Sequence, residues 1–180
     1  CSIEVLSRAA PAAGFINVTP DDDGVLRRLP LIIAHREQLY PSLALRTVLQ
    51  AKGHREVRLR PGRGGQLAGI DLDGRFVPLD DRGQLLVRLH PHSPPLDRVS
   101  AGEVLDGHIP PERFAGRIVL VGTTAMGLEA HHTSPLGTLA PGIAMQAAVI
   151  DNLQQDRFFS APGWARSLEL GLLVFCGVGS

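Results

Sequence analysis

The chain has 180 residues, 44% of them hydrophobic, which is enough to bury one core, and its 18 basic residues balance 18 acidic ones. The basic side chains are scattered and not interleaved with aromatics, so the electrostatic footprint of a nucleic-acid binder is missing. Its two cysteines, Cys1 and Cys176, lie at opposite ends, a spacing that argues against a structural disulfide or a thiolate metal site.

In chain order, Phe15 to Val18 reads as a short strand. Pro20-Asp21-Asp22-Asp23-Gly24 supplies turn chemistry, and Val25 to Ile33 resumes as a leucine-rich, β-branched run. Together these predict a hairpin with an acidic tip. A helix is predicted from Pro41, placed as a first helical residue, to Lys52, with Gly53 closing it. From Val57 to Leu89 short apolar pieces alternate with glycine-rich turns, and Asp73-Gly74 is a two-residue hairpin signal. After the proline-rich stretch His90 to Pro95, Ser100 and Glu103 form a capping box for a short helix to about Leu105, and a helical turn opens at Pro110-Pro111.

Arg117 to Val121 is a continuous apolar run of the kind that fills a buried central strand, followed by Gly122-Thr123-Thr124-Ala125. Pro141 to Gln154 places Ile143, Ala147, Ile150 and Leu153 near one helical face. A strand, a polar loop and a helix in that order predict a ligand site at the strand's end. From Trp164 to Ser180 the chain runs apolar after Arg166 and Glu169, shorter than the roughly 20 residues a span needs. Trp164 and Arg166 ahead of the run mark it as the start of a membrane helix, against the alternative of a soluble core helix. Cys1 in place of Met and this interrupted run make both ends read as cuts from a longer chain.

Three blocks resemble a known family. They are GFINVTPDDDGVLRRLPLI (Gly14 to Ile32), PSLALRTVLQAKG (Pro41 to Gly53), and GRIVLVGTTAMGLEAHHTSPLG (Gly116 to Gly137) continuing through PGIAMQAAVIDNL (Pro141 to Leu153). In order and spacing they are similar to the type-two CHASE family, extracellular sensory domains set before bacterial cyclases, histidine kinases and serine/threonine kinases. The family's Asp and Thr-Pro in the third block correspond here to Ala130 and Ser134-Pro135, which removes one charge from the loop that would otherwise be nominated for ligand contact. The resemblance implies signal reception outside the cytoplasm. It also implies an output domain beyond several transmembrane helices, and no catalysis in this domain.

Catalytic and metal chemistry fail on stated positions. A calcium loop counted from Asp21 needs an oxygen ligand at its fifth position and an acid at its twelfth, where Val25 and Ile32 stand. No phosphate loop and no Gly-x-Ser-x-Gly elbow occurs in the sequence. His131 and His132 have neither a third ligand at metal spacing nor, being adjacent in an extended loop, a common direction; they remain open as solvated loop residues or as a pH-sensitive pair. Arg27 and Arg28 pair with the aspartates or with a ligand anion, and strand alternation sends them to opposite faces. Thr123 and Thr124 either cap a helix or bind an anion.

The sequence therefore predicts an α/β domain over 1–160, with a central mixed sheet flanked by helices and Arg117 to Val121 in its middle, and the start of a truncated transmembrane helix over 161–180. The candidate ligand contacts are Asp21, Asp23, Arg27, Arg28, Thr123, Thr124, His131, His132 and Thr133, with no catalytic residue, no metal and no cofactor. The expected function is sensing of a small ligand or environmental signal on the extracytoplasmic side of a bacterial inner membrane, with the membrane reached through the C-terminal helix and a homodimer possible. Two other classes stay open: an extracellular hydrolase-like enzyme using Asp21, Asp23, His131 or His132, and a structural dimerisation module marked by a large apolar patch.

Overall fold

A computed structural model describes residues 4–10, 12–62, 64–89, 97–123, 131–137 and 139–159. Cys1, the His90 to Pro95 stretch, Thr124, Ala130 and the 161–180 segment lie outside the described residues. After a short helix α1 (Glu4–Ala9) come β1 (Arg28–Pro30), β2 (Ile32–His35) and β3 (Gln38–Pro41), then α2 (Leu43–Ala51). Next are β4 (Arg58–Pro61), β5 (Leu67–Leu72), β6 (Arg75–Pro78) and β7 (Gln84–Leu86), followed by α3 (Ala101–Leu105). A single 3-10 turn over Pro111–Arg113, β8 (His131–Thr133), β9 (Leu139–Pro141) and α4 (Gly142–Gln155) complete the order.

The strands form several small antiparallel sheets in place of the one central mixed sheet expected: β1 with β7, β2 with β3, β4-β5-β6, and β8 with β9. The expected central strand fails for a definite reason. Between Ile118 and Val121 exposure alternates, with Ile118 and Leu120 leaning on the core while Val119 and Val121 are 51% and 87% exposed. A strand buried on both faces cannot show that pattern. Among the described residues the segment also has no ladder partner; its one backbone bond is Arg117 N–H to the Phe114 carbonyl at 3.2 Å.

The acidic hairpin also resolves differently. Phe15 pairs with Ser42 and Val25 with Thr133, each in a single parallel bridge, so the two arms do not pair with each other. The turn closes locally through Asp21 N–H to the Val25 carbonyl (3.0 Å) and Gly24 N–H to the Asp21 carbonyl (2.8 Å). The Val25 to Ile33 run then splits at Leu31, so that β1 joins β7 and β2 turns back on β3 through Arg36 and Glu37, both at positive φ.

α2 begins two residues later than expected. Pro41 ends β3, and Ser42 caps the helix, its hydroxyl accepting from the Leu45 N–H at 3.2 Å. At the other end Gly53 N–H reaches the Gln50 carbonyl (3.1 Å) and His54 N–H the Leu49 carbonyl (2.8 Å), the paired bonds of a Schellman stop that needs the positive φ of Gly53. Ser100 stands at the start of α3 without a side-chain capping bond, so that capping box is not formed.

The core gathers Ala44, Leu45, Val48 and Leu49 of α2, Met145, Val149, Ile150 and Leu153 of α4, and inward residues of β1, β5, β6 and β7. On α4 the buried residues are Met145, Gln146, Val149, Ile150, Asn152 and Leu153, so Ile150 and Leu153 of the expected face are buried while Ile143 and Ala147 are half-buried. Asn152 fixes α4 to the chain after β7, its amide donating to the Arg88 carbonyl at 3.1 Å and to the Ala148 carbonyl at 2.6 Å. The two helices pack on each other and end at the same place. Lys52 donates to Asp73 at 2.7 Å, His54 also reaches Asp73, and Arg75 pairs with Asp156 at the end of α4, so the β5–β6 turn meets both helix C-termini. Each fully buried aliphatic side chain in this core contributes about 1.5–3 kcal/mol.

Candidate functional site

Block one and block three of the sequence meet at a single junction. Leu26 N–H donates to the Thr133 carbonyl at 2.9 Å, beside the Val25–Thr133 bridge, and Val87 N–H donates to the Arg27 carbonyl at 2.9 Å. The acidic turn is thereby held against β8 on one side and the β7 end on the other. In β8, His131 is in register with Pro141, His132 with Ala140 and Thr133 with Leu139, so the two histidines lie one strand away from the N-terminus of α4.

Within the turn the charges satisfy each other. Arg27 forks onto Asp23 through bonds of 2.9 and 2.7 Å and also donates to Asp21 at 3.1 Å. Arg28 reaches the same Asp21 at 3.4 Å and approaches Asp80 at 3.9 Å. The two arginines therefore do not diverge as strand alternation demands. Arg27 lies before β1 begins, and both long side chains bend back to one carboxylate. The bidentate hydrogen bonds from Arg27 hold the Asp23 carboxyl down at about 2, and the two aspartates push the Arg27 guanidinium above its ordinary range. A carboxyl held so low is a poor proton acceptor, which argues against Asp23 as the general base of a hydrolase.

Asp80, which the sequence reading missed, anchors the neighbouring turn by accepting from Arg82 N–H (3.0 Å) and Gln84 N–H (2.8 Å). Its signal is the Asp80-Asp81-Arg82-Gly83 string, a side-chain-closed turn ahead of a strand. Thr123 is exposed at the end of the 117–123 segment, and among the described residues no hydrogen bond joins it to the turn or to β8; Thr124 lies outside them. Among the described residues no three His, Cys, Asp or Glu side chains gather as a metal-binding group.

Two open grooves lie elsewhere, on either side of the Ala13–Gly14 backbone. One, of about 400 Å³, runs between Phe15, Ile33, His35 and Tyr40; the other, of about 350 Å³, lies between α2 at Arg46, Thr47 and Gln50 and the segment at Ile118 and Val119. None of the eight candidate residues among those described lines either groove. Gly14 makes both possible. Its backbone approaches the start of α2 so closely that a Cβ there meets Leu43 N and the Ser42 carbonyl carbon at 2.6 Å. Phe15 exchanges backbone bonds with Pro41 (3.2 Å) and Leu43 (2.8 Å) in the same place.

The charges Asp21, Asp23, Arg27 and Arg28 thus neutralise one another at the turn of a small mixed α/β domain. The chain belongs to the CHASE2 domain family: the family model matches residues 3–179, nearly its whole length. CHASE2 is a family of sensory domains, generally extracytoplasmic, so this is a sensory and not a catalytic domain. No curated protein and no solved structure matches the chain. Among the described residues no helix is long and apolar enough to cross a membrane.

Proposed function

We propose that the chain is the extracytoplasmic sensor of a membrane-anchored bacterial receptor, and that it relays its signal through the segment after α4 to a cytoplasmic cyclase or kinase. The observation that carries this reading is the family match over residues 3–179, which covers the junction and α4 together. The apolar run from Leu170 supports the membrane attachment.

In this reading the input surface is the junction of the acidic turn with β8, contributed by Asp21, Asp23, Arg27, Arg28, His131, His132 and Thr133. An anion competes with the aspartates for Arg27 or Arg28, and freeing either carboxylate alters the turn that holds β8. Since β8 and β9 lead directly into α4, a change at Thr133 is delivered to the helix that ends the domain. A ligand drives such a change only by its differential affinity for the two arrangements.

The test has two parts. In the parent protein, a reporter active only outside the cytoplasm and inserted at the exposed Asp106-Gly107 turn should be active; an inactive reporter, with a cytoplasmic one active at the same point, sinks the placement. A thermal-shift screen of small anions and metal ions on the chain should yield at least one compound whose effect disappears in Arg28→Ala. A screen in which every stabilising compound acts equally on Arg28→Ala removes the junction as the input surface.

A further inference from the structure

The sheet β4-β5-β6 turns one face to the helices and the other to solvent, and the outward face carries a second set of chemistry. The registers put Arg58 opposite Asp71 and Asp71 opposite Phe76, so these three side chains stand in one row on one face; Arg60, Gly69 and Pro78 make the next row. Ile70 and Val77 alternate to the buried side.

Phe76 is 51% exposed, yet its ring is not loose on the surface. It lies down over Gly69, where an added Cβ would stand 2.6 and 2.8 Å from two ring carbons. A glycine under an aromatic ring keeps the ring flat against the sheet and its outer π-face open. Arg60 is held in place by Asp71 at 2.6 Å, and that bond pulls the Asp71 carboxyl below the usual range. Arg58, two residues before Arg60 on the exposed edge strand, stands opposite Asp71 and its charge helps hold that carboxyl down, but among the described residues it makes no close ion pair. With the ring lying over Gly69 of β5, the aromatic face is about 5 Å, one strand spacing, from β4 and within reach of an arginine side chain on that strand.

We propose that this face binds an acidic glycan, one sugar ring stacking on Phe76 while its carboxylate meets Arg58. The flat ring supplies a C–H/π platform, the exposed Arg58 guanidinium supplies the charge complement, and the fixed Arg60–Asp71 pair offers donor and acceptor to the hydroxyls between them. A single aromatic on this face, in a chain of balanced charge, favours this over a nucleic acid, whose binding surfaces repeat aromatics along a basic groove. The site is separate from the junction described above and does not depend on its role.

Titration calorimetry of the chain with oligogalacturonate, with an uncharged dextran of equal length and with a single-stranded oligonucleotide tests it. Binding of oligogalacturonate alone is expected. Arg58→Ala and Phe76→Leu should each weaken that binding about tenfold or more, while Phe76→Tyr, which keeps the ring over Gly69, should retain it. Circular dichroism of the Phe76→Leu chain separates a lost ring from a lost fold, and Arg8→Ala, distant in sequence and on α1, should bind normally. The proposal is overturned by no binding, by equal binding of dextran or oligonucleotide, or by a loss in Arg58→Ala that Phe76→Leu does not share in a folded chain.

Discussion

Residues 26–87 together with α4 hold every buried hydrophobic side chain among the described residues, whereas from 97 to 123 no side chain is buried at all. The first region is joined by backbone ladders, a capped helix and the Asn152 amide. The second is held by exposed charge, with Arg113 forking onto Asp97 at 2.6 and 3.4 Å and Arg117 adding a pair at 3.5 Å, and by Ile118 and Leu120 resting on the core from outside. Exposed ion pairs contribute about 0–1 kcal/mol each, so the second region adds little to stability and is free to change shape without unfolding the first.

That division can be broken by substitution. The largest effect belongs inside the first region: Leu45→Ala should lower unfolding stability in urea by about 2–5 kcal/mol, the cost of a buried leucine and the cavity it leaves. Asn152→Ala should follow at about 1–3 kcal/mol, because the Arg88 carbonyl loses its donor. Gln146 is its counterpart with the opposite sign. Among the described residues its buried side-chain carbonyl has no hydrogen-bond partner, so Gln146→Leu should leave stability unchanged or raise it by about 1 kcal/mol. A loss comparable to that of Asn152→Ala would show that Gln146 is satisfied after all.

Smaller still is the charge network of the acidic turn. With its carboxyl held at about 2, Asp23 contributes stability that is present above the ordinary carboxylate range, near 4, and is lost as pH falls from there toward 2. Asp23→Asn should therefore flatten the fall in stability between about pH 5 and pH 2, with little difference between the chains at neutral pH beyond the lost exposed pair. Least of all, Val119→Ala, despite removing a branched apolar side chain, should stay within about 0.5 kcal/mol. A cost near that of Leu45→Ala would place Val119 in a buried strand and erase the contrast between the regions.

The same contrast explains which parts could be read ahead. α2, α4 and the Asp73-Gly74 turn were legible because each carries a local signal: a stop at Gly53, an apolar stripe, a dipeptide that accepts positive φ. Arg117 to Val121 has an equally strong local signal, but its partner strands are set by distant residues, and composition does not report whether a partner arrives. The Arg27–Asp23 fork was foreseeable from spacing within one turn. The convergence of Arg28 on Asp21 and Asp80 was not, because it depends on β7 lying beside β1. Of the candidate site, the meeting of Val25 with Thr133 is a contact over more than a hundred residues, visible beforehand only as two blocks of one family pattern.

The turn at Asp73–Arg75 fastens the ends of α2 and α4 with polar side-chain contacts, through Lys52, His54 and Asp156, all at least partly open to water. A fastening of that kind behaves as an adjustable joint. In brine, where charge is screened within a few ångströms, it slackens by about 0–1 kcal/mol per exposed pair, while the buried contacts between α2 and α4 keep the helices together. The corner, and not the core, is the part of the domain that answers to ionic strength.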